Sequence, residues 1–255
     1  SETHGATMQH LTKPVFDALP FLLPPLDEQK KIANKLDRTT DIITNRKSQL
    51  KKLDLLVKSR FIEMFGDPVE NNRNWNIKSF GDVCCVRQGL QIPIAKRLVV
   101  KEDDCYEYIT VAYLHGTKER EYIKKPKATV VCKKSDILMT RTGNTGMVVT
   151  DVEGVFHNNF FLIDFNKNLL NKKFVVQYLN LDTIQKELLR RAGTAIIPDL
   201  NHGEFYKVKI YIPPIALQTQ FATFVSQVDK SKSSIQHSLT QLETLKKAKM
   251  QLYFE

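Results

Sequence analysis

The chain has 255 residues, 42% hydrophobic and 26% charged, with 38 Lys+Arg against 28 Asp+Glu for a net charge of +10. That composition supports one or two ordinary hydrophobic cores and excludes a chain disordered by composition. No apolar run approaches the roughly 18 residues of a membrane span. The opening Ser1-Glu2-Thr3-His4-Gly5 lacks Met and the basic-then-apolar pattern of a signal peptide and looks like the middle of a longer chain. Four cysteines without regular spacing point to a reduced, cytoplasmic protein, and no membrane contact is expected. The positive excess favours a polyanionic partner, nucleic acid ahead of a membrane.

Residues 1–20 echo a later stretch. Gly5-Ala6-Thr7-Met8 and Phe16 resemble Gly193-Thr194-Ala195-Ile196 and Phe205, and each set leads into a strand-like stretch and a proline pair. They read as the C-terminal remnant of a preceding domain. Residues 21–65 read as one long helix started by Pro24-Pro25, because proline suits the first helical turn. Along it Leu36, Ile43, Leu50, Val57 and Met64 recur every seven residues, a stripe that asks for a partner helix.

Residues 66–209 change character, with shorter apolar runs and frequent turn residues such as Gly66-Asp67-Pro68 and Gly143 to Gly146. Strands are predicted at Tyr106–Val111, Thr129–Val131, Ile137–Thr140, Met147–Thr150, Phe160–Asp164 and Val208–Ile212, and one helix at Lys172–Arg191. This is a mixed α/β (α+β) domain carrying 22 Lys+Arg against 17 Asp+Glu.

Residues 210–255 read as a second long helix, started by Pro213-Pro214 and striped by Phe221, Val228, Ile235 and Leu242, with Lys232 and Lys246 interrupting. Leu22 to Phe65 aligns without a gap on Tyr211 to Phe254, with identities that include Gln29/Gln218, Ala33/Ala222, Leu50/Leu239 and Leu53/Leu242. Two copies of one helix pack most economically on each other as an antiparallel coiled coil; the alternative is that each stripe covers a globular body. A helix of about 40 residues is about 60 Å long, the length of a spacer.

The sequence holds no phosphate-binding loop, no dinucleotide fingerprint, no H-E-x-x-H and no Asn/Asp-Pro-Pro-Tyr/Phe stretch. Its six histidines are scattered, and Cys84, Cys85, Cys105 and Cys132 lack ligand spacing, so reduced thiols and no catalytic or metal-binding residues are expected. The most suggestive local feature is Arg141-Thr142-Gly143-Asn144-Thr145-Gly146, between two apolar runs. Arg suits guanine, Asn suits adenine and Thr either, although Asn and Gly equally suit a plain solvated hairpin. Arg190 and Arg191, followed by Thr194, form a second candidate, or a helix end where cations suit the dipole. Lys124 and Lys125 could grip phosphates or simply face solvent. Arg87, Gln88 and Gln91, around Gly89, make a third polar loop.

Pro24-Pro25-Leu26-x-Glu28-Gln29-x-x-Ile32-Ala33-x-x-Leu36 resembles the start of the helical region in specificity subunits of type I restriction–modification systems. Pro213-Pro214-Ile215-x-x-Gln218-x-x-Phe221-Ala222 is a weaker second version, with Leu217 in place of the Glu. Phe65-Gly66-Asp67-Pro68 followed by Trp75 is similar to the passage into such a subunit's second target-recognition domain. The resemblance implies that 1–20 is the remnant of a first target-recognition domain, 21–65 a central spacer helix, 66–209 a complete target-recognition domain and 210–255 a distal spacer helix. It further implies sequence-specific binding to one half of a split double-stranded DNA site and docking of methylation and restriction subunits. On that reading the chain is not itself an enzyme and holds no cofactor; S-adenosylmethionine, ATP and magnesium belong to partner subunits, and a chain with one reader would self-associate. The competing expectation is a coiled-coil protein-interaction scaffold without DNA sequence specificity.

Overall fold

The computed structural model describes residues 12–18 and 23–254. In chain order the elements are α1 (Lys13–Asp17), α2 (Leu26–Phe65), β1 (Asn76–Ser79), α3 (Phe80–Val83), β2 (Cys84–Gln88), β3 (Cys105–Ile109), α4 (Val111–Leu114), β4 (Tyr122–Lys124), β5 (Val131–Cys132), β6 (Ile137–Thr140), β7 (Val148–Thr150), β8 (Gly154–Phe156), β9 (Phe160–Phe165), α5 (Lys172–Leu179), α6 (Asp182–Ala192), α7 (His202–Tyr206), β10 (Lys209–Ile212) and α8 (Ile215–Phe254). The architecture is mixed α/β with two 40-residue helices. Two compact units result: Asp54–Lys230, and the described part of Ser1–Leu53 with Ser231–Glu255. Residues 1–11 and 19–20 of the stretch expected to be a remnant lie outside the described residues.

Both long helices begin with the same local closure. The side-chain amide of Gln29 donates to the Pro24 carbonyl at 2.7 Å, and that of Gln218 to the Pro213 carbonyl at 2.8 Å. The N–H groups of Glu28 and Gln29 both donate to the Pro25 carbonyl, and those of Leu217 and Gln218 to the Pro214 carbonyl, so the glutamine side chain takes the carbonyl one residue earlier. That is the physical content of the repeated Pro-Pro-x-x-x-Gln.

In the unit Asp54–Lys230, two four-stranded sheets form, in the orders β2-β9-β6-β7 and β4-β3-β8-β5, and β1 pairs with β10 antiparallel. Successive residues of β3 and β8 serve different cores, as period-two alternation requires. Ile109 and Phe156 join Leu138, Phe160 and Leu162, whereas Tyr108 and Val155 join Ile123 and Val130. A third, aromatic core gathers Phe61 and Phe65 from α2, Phe174 and Tyr178 from α5, Tyr211 from β10 and Phe221 from α8. The unit therefore starts inside one long helix and ends inside the other. Phe61 and Phe65 both lie against Phe221, while Arg60 lies 5.9 Å from the Phe224 ring, so α8 advances as α2 recedes and the pair is antiparallel. Val57, Phe221 and Val228 are buried here.

In the other unit Ile43 and Leu239 are buried, Leu36, Leu50, Ile235 and Leu242 are half-buried, and Lys47 pairs with Glu243 at 2.9 Å. No described helix is long and apolar enough to cross a membrane.

Several expected elements have different bounds. The helix expected over Lys172–Arg191 is two, because Asn180 ends α5 and Leu181, extended and buried, turns the chain before α6. The strand expected over Tyr106–Val111 stops at Ile109, where Thr110 caps α4 by accepting from the Tyr113 N–H at 3.1 Å. Thr129–Val131 is mostly a 3-10 turn (Ala128–Val130) leading into β5.

Candidate nucleic-acid interface

Strands β2 and β6 both pair antiparallel with β9, so their C-terminal ends meet where β9 begins. Gln88 lies opposite Phe161 and Thr140 opposite Phe160. The loops that leave these ends are tied together by main-chain bonds. Gly89 N–H donates to the Phe160 carbonyl at 3.1 Å, Leu90 N–H to that of Phe156 at 3.1 Å and Arg141 N–H to that of Asn159 at 2.7 Å. Only glycine fits at 89, since a Cβ there would stand 2.2 Å from the His157 carbonyl oxygen.

The loop after β6 is folded onto itself. Gly143 and Gly146 take φ of 84° and 86°, conformations that favour glycine. Gly146 N–H donates to the Thr140 carbonyl at 2.9 Å, and the Thr140 hydroxyl donates to the Asn144 carbonyl while accepting from Met147 N–H at 2.9 Å. The Gln185 amide of α6 donates to the Gly146 carbonyl at 3.0 Å. Thr145 is buried, with its hydroxyl 3.1 Å from the Arg141 carbonyl and 3.0 Å from that of Pro198. Thr142, half-buried, and the exposed Gly143 and Asn144 form the tip.

Arg141 joins this loop to the segment after α6. Its Nε–H and Nη2–H donate to the Asp199 carboxylate at 2.8 and 2.5 Å, and Leu200 N–H donates to its carbonyl at 3.0 Å. The hydrogen bonds from Arg141 hold the Asp199 carboxyl below its ordinary range, and the same contact raises the guanidinium. Nearby, His202 packs edge-on against Phe161 at 5.5 Å, and burial, then the Arg141 charge, lowers its pKa against an opposing pull from Asp199. His157 is lowered by burial and by Arg97, and its Nδ1 accepts from Asn159 N–H at 3.1 Å. In both, burial favours the neutral imidazole. In the sequence Asp199 is an isolated acid; 58 residues separate it from Arg141, and no local pattern marks the pair.

Thus Gln88, Gln91, Arg141, Thr142, Asn144, Thr145 and Thr194 belong to segments that converge on one end of the sheet β2-β9-β6-β7. Other expected residues lie elsewhere or are engaged. Alternation along β2 turns Arg87 away from Gln88, and its guanidinium donates to the Thr129 carbonyl at 3.1 Å. Lys124 pairs with Glu102 at 2.9 Å, and Lys125 follows it; both sit at the Cys105 end of β3, opposite the Ile109 end that adjoins Phe156. Arg190 is held by Glu187 at 2.7 Å, and Arg191 lies between Glu187 at 2.6 Å and Glu204 at 3.2 Å. Among the described residues no three His, Cys, Asp or Glu side chains gather as a metal site.

A strand scaffold with polar loops fixed at one end, flanked in sequence by two long helices, is the build of a binding module. The chain belongs to the type I restriction modification DNA specificity domain family, whose model matches residues 1–53 and 72–244. It is similar to a putative type I restriction enzyme specificity subunit of Haemophilus influenzae, 25% identical over 247 residues, covering 92% of this chain and 62% of that one. A type I restriction enzyme specificity subunit of Methanocaldococcus jannaschii is 22% identical over 270 residues, covering 96% of this chain and 62% of that one. The chain thus spans under two thirds of the length of these curated relatives. The fold is shared with the crystal structure of the HsdS subunit from Thermoanaerobacter tengcongensis, at a TM-score of 0.55 and 19% identity over 100% of this chain and 65% of that one. It is also shared with a type I restriction-modification S subunit from M. genitalium, at 0.64 and 17% over 100% and 68%.

Proposed function

We propose that the chain is a non-catalytic reader of double-stranded DNA, recognising one half of a split target and docking the methylation subunits of a cytoplasmic type I complex. The restriction subunit joins the same assembly, and S-adenosylmethionine, ATP and magnesium act in the partners. The observation that carries this reading is the convergence of three loops, after β2, β6 and α6, on one sheet end, in a chain of the DNA specificity domain family.

Arg141 illustrates the chemistry. A guanidinium has five N–H donors in a rigid fork, and the Asp199 carboxylate takes one edge, Nε with Nη2. The remaining edge, Nη1 with the second Nη2 hydrogen, matches guanine O6 and N7 in the major groove. Asn144 at the exposed tip offers an amide for adenine, and Thr142 a hydroxyl for either. The two long helices hold the distance between half-sites, and two copies of a one-reader chain would pair through them.

The test is selection from a random duplex pool by the chain together with its methylation subunits. One short shared motif is expected, with affinity that falls steeply as salt rises. Enrichment of no motif, with salt-insensitive or absent binding, would leave the helices as a protein-interaction scaffold and refute the reading.

A further inference from the structure

The segment after α6 reads Gly193-Thr194-Ala195-Ile196-Ile197-Pro198-Asp199, and its apolar pair is turned outward: Ile196 is fully exposed and Ile197 is 66% exposed. Single exposed apolar residues are ordinary on protein surfaces. Here two adjacent β-branched side chains stand at the tip of a loop with fixed ends. Asp199 N–H closes the loop onto the Ala192 carbonyl at 3.1 Å, and the Arg141 guanidinium holds its carboxylate. The Pro198 carbonyl lies 3.0 Å from the Thr145 hydroxyl. Arg141 and Thr145, which root the Thr142–Asn144 tip, therefore also root the isoleucine tip.

We infer that Ile196 and Ile197 form an apolar reading surface for the 5-methyl groups of thymines in the major groove, beside the polar loop. This rests on the DNA-reading role proposed above and names part of its specificity. An aliphatic side chain gains nothing from a phosphate, and the apolar feature that a major groove presents is the thymine methyl. The tethers order the tip before contact, so little freedom is lost on binding, and β-branching restricts the side-chain rotamers further. Thr194 on the same loop and Gly143 and Asn144 on its tethered neighbour are exposed and polar or small, which suits a groove edge better than a broad apolar protein partner.

The experiment uses the full chain with its methylation subunits and the motif it selects. Each thymine of that motif is replaced in turn by deoxyuridine, which lacks only the methyl group. At one or two positions the wild type should bind about four-fold more weakly per methyl removed, the equivalent of one buried methylene. A chain carrying Ile196→Ser and Ile197→Ser should select the same motif elsewhere, lose its preference for thymine at those positions and be indifferent to deoxyuridine there. The pair Ile196→Ala and Ile197→Ala should behave alike, and both are surface changes that leave folding intact. A wild type insensitive to deoxyuridine at every thymine overturns the inference while leaving DNA reading in place, as does a serine variant with undiminished sensitivity. A wild type that selects no motif removes both together.

Discussion

Phe61 tests where the core of the unit Asp54–Lys230 begins. It lies four residues before the end of α2 and is fully buried. Its ring centroid is 4.8 Å from that of Phe65, 5.4 Å from Phe174, 6.4 Å from Tyr178 and 5.3 Å from Phe221. Phe→Ala in a core costs about 3–5 kcal/mol through lost transfer energy and the cavity left behind. Four aromatic neighbours place Phe61→Ala in the upper part of that range, about 4 kcal/mol, since each ring pair adds to simple burial. The assay is urea unfolding followed by the fluorescence of Trp75, the only tryptophan, whose indole N–H donates to the Phe65 carbonyl at 2.8 Å. With a slope near 2 kcal/mol per molar urea, the midpoint should fall by about 2 M. Leu55→Ala, on an exposed face of the same helix, should change the stability by less than about 0.5 kcal/mol. A loss below about 1 kcal/mol for Phe61→Ala would refute the assignment of the end of α2 to this core.

Arg141→Ala and Asn144→Ala should each relax base preference at one position of the selected motif by about 1–3 kcal/mol. Lys124→Ala should leave preference intact and reduce the salt slope by at most about one; equal losses from all three would contradict the base-reading assignment. Asp199→Asn bears on pH. Because Arg141 lowers the folded pKa of Asp199, the ion pair stabilises above the unfolded carboxylate value near 3.9 and is lost as pH falls through the folded value. The gap between wild type and variant, on the order of 1 kcal/mol for a partly exposed pair, should be present at pH 7 and shrink below about pH 4; a gap that widens in acid contradicts the pair's role. Thiol labelling at pH 8 should modify exposed Cys85 first. Burial pushes Cys84 to about 12 and Cys132 to about 11, so these should react only as the fold opens; prompt labelling of either would show that the strands are not closed around it.

The parts legible in the sequence were those whose signal is long or continuous. Proline starts and seven-residue stripes mark α2 and α8 because each repeats over many turns of one helix. Unbroken apolar runs mark β6 and β9 because both lie almost wholly buried. The edges of the unit Asp54–Lys230 were not legible, since Phe61 and Phe65 owe their burial to Phe174 and Phe221, more than a hundred residues away. Strand β1, Asn76-Ile77-Lys78-Ser79, has one apolar residue and exists by pairing with β10; β8, three residues long, is held between β3 and β5. In the candidate interface the residue types were readable from local composition. Their convergence, and the Arg141–Asp199 pair that roots it, depend on sheet order, which no local pattern encodes.

The placement of charge bears on how such a reader would discriminate. The net +10 suggests bulk attraction to a polyanion, yet three arginines of the converging segments and of the adjoining α6 are each matched: Arg141 by Asp199, Arg190 by Glu187, and Arg191 by Glu187 and Glu204. A matched guanidinium contributes little long-range field, but it is held in one plane, and a fixed fork selects acceptors by geometry rather than by charge. Bare lysines at the same places would raise affinity for all DNA alike, because phosphate contacts carry no sequence information. On the proposed reading, the carboxylates around these arginines therefore convert charge into direction. That predicts that Asp199→Ala, which frees the Arg141 charge while releasing its orientation, should raise binding to random duplex and lower the ratio of specific to random affinity. A variant that loses affinity for both in equal measure would show Asp199 to be a structural tether alone.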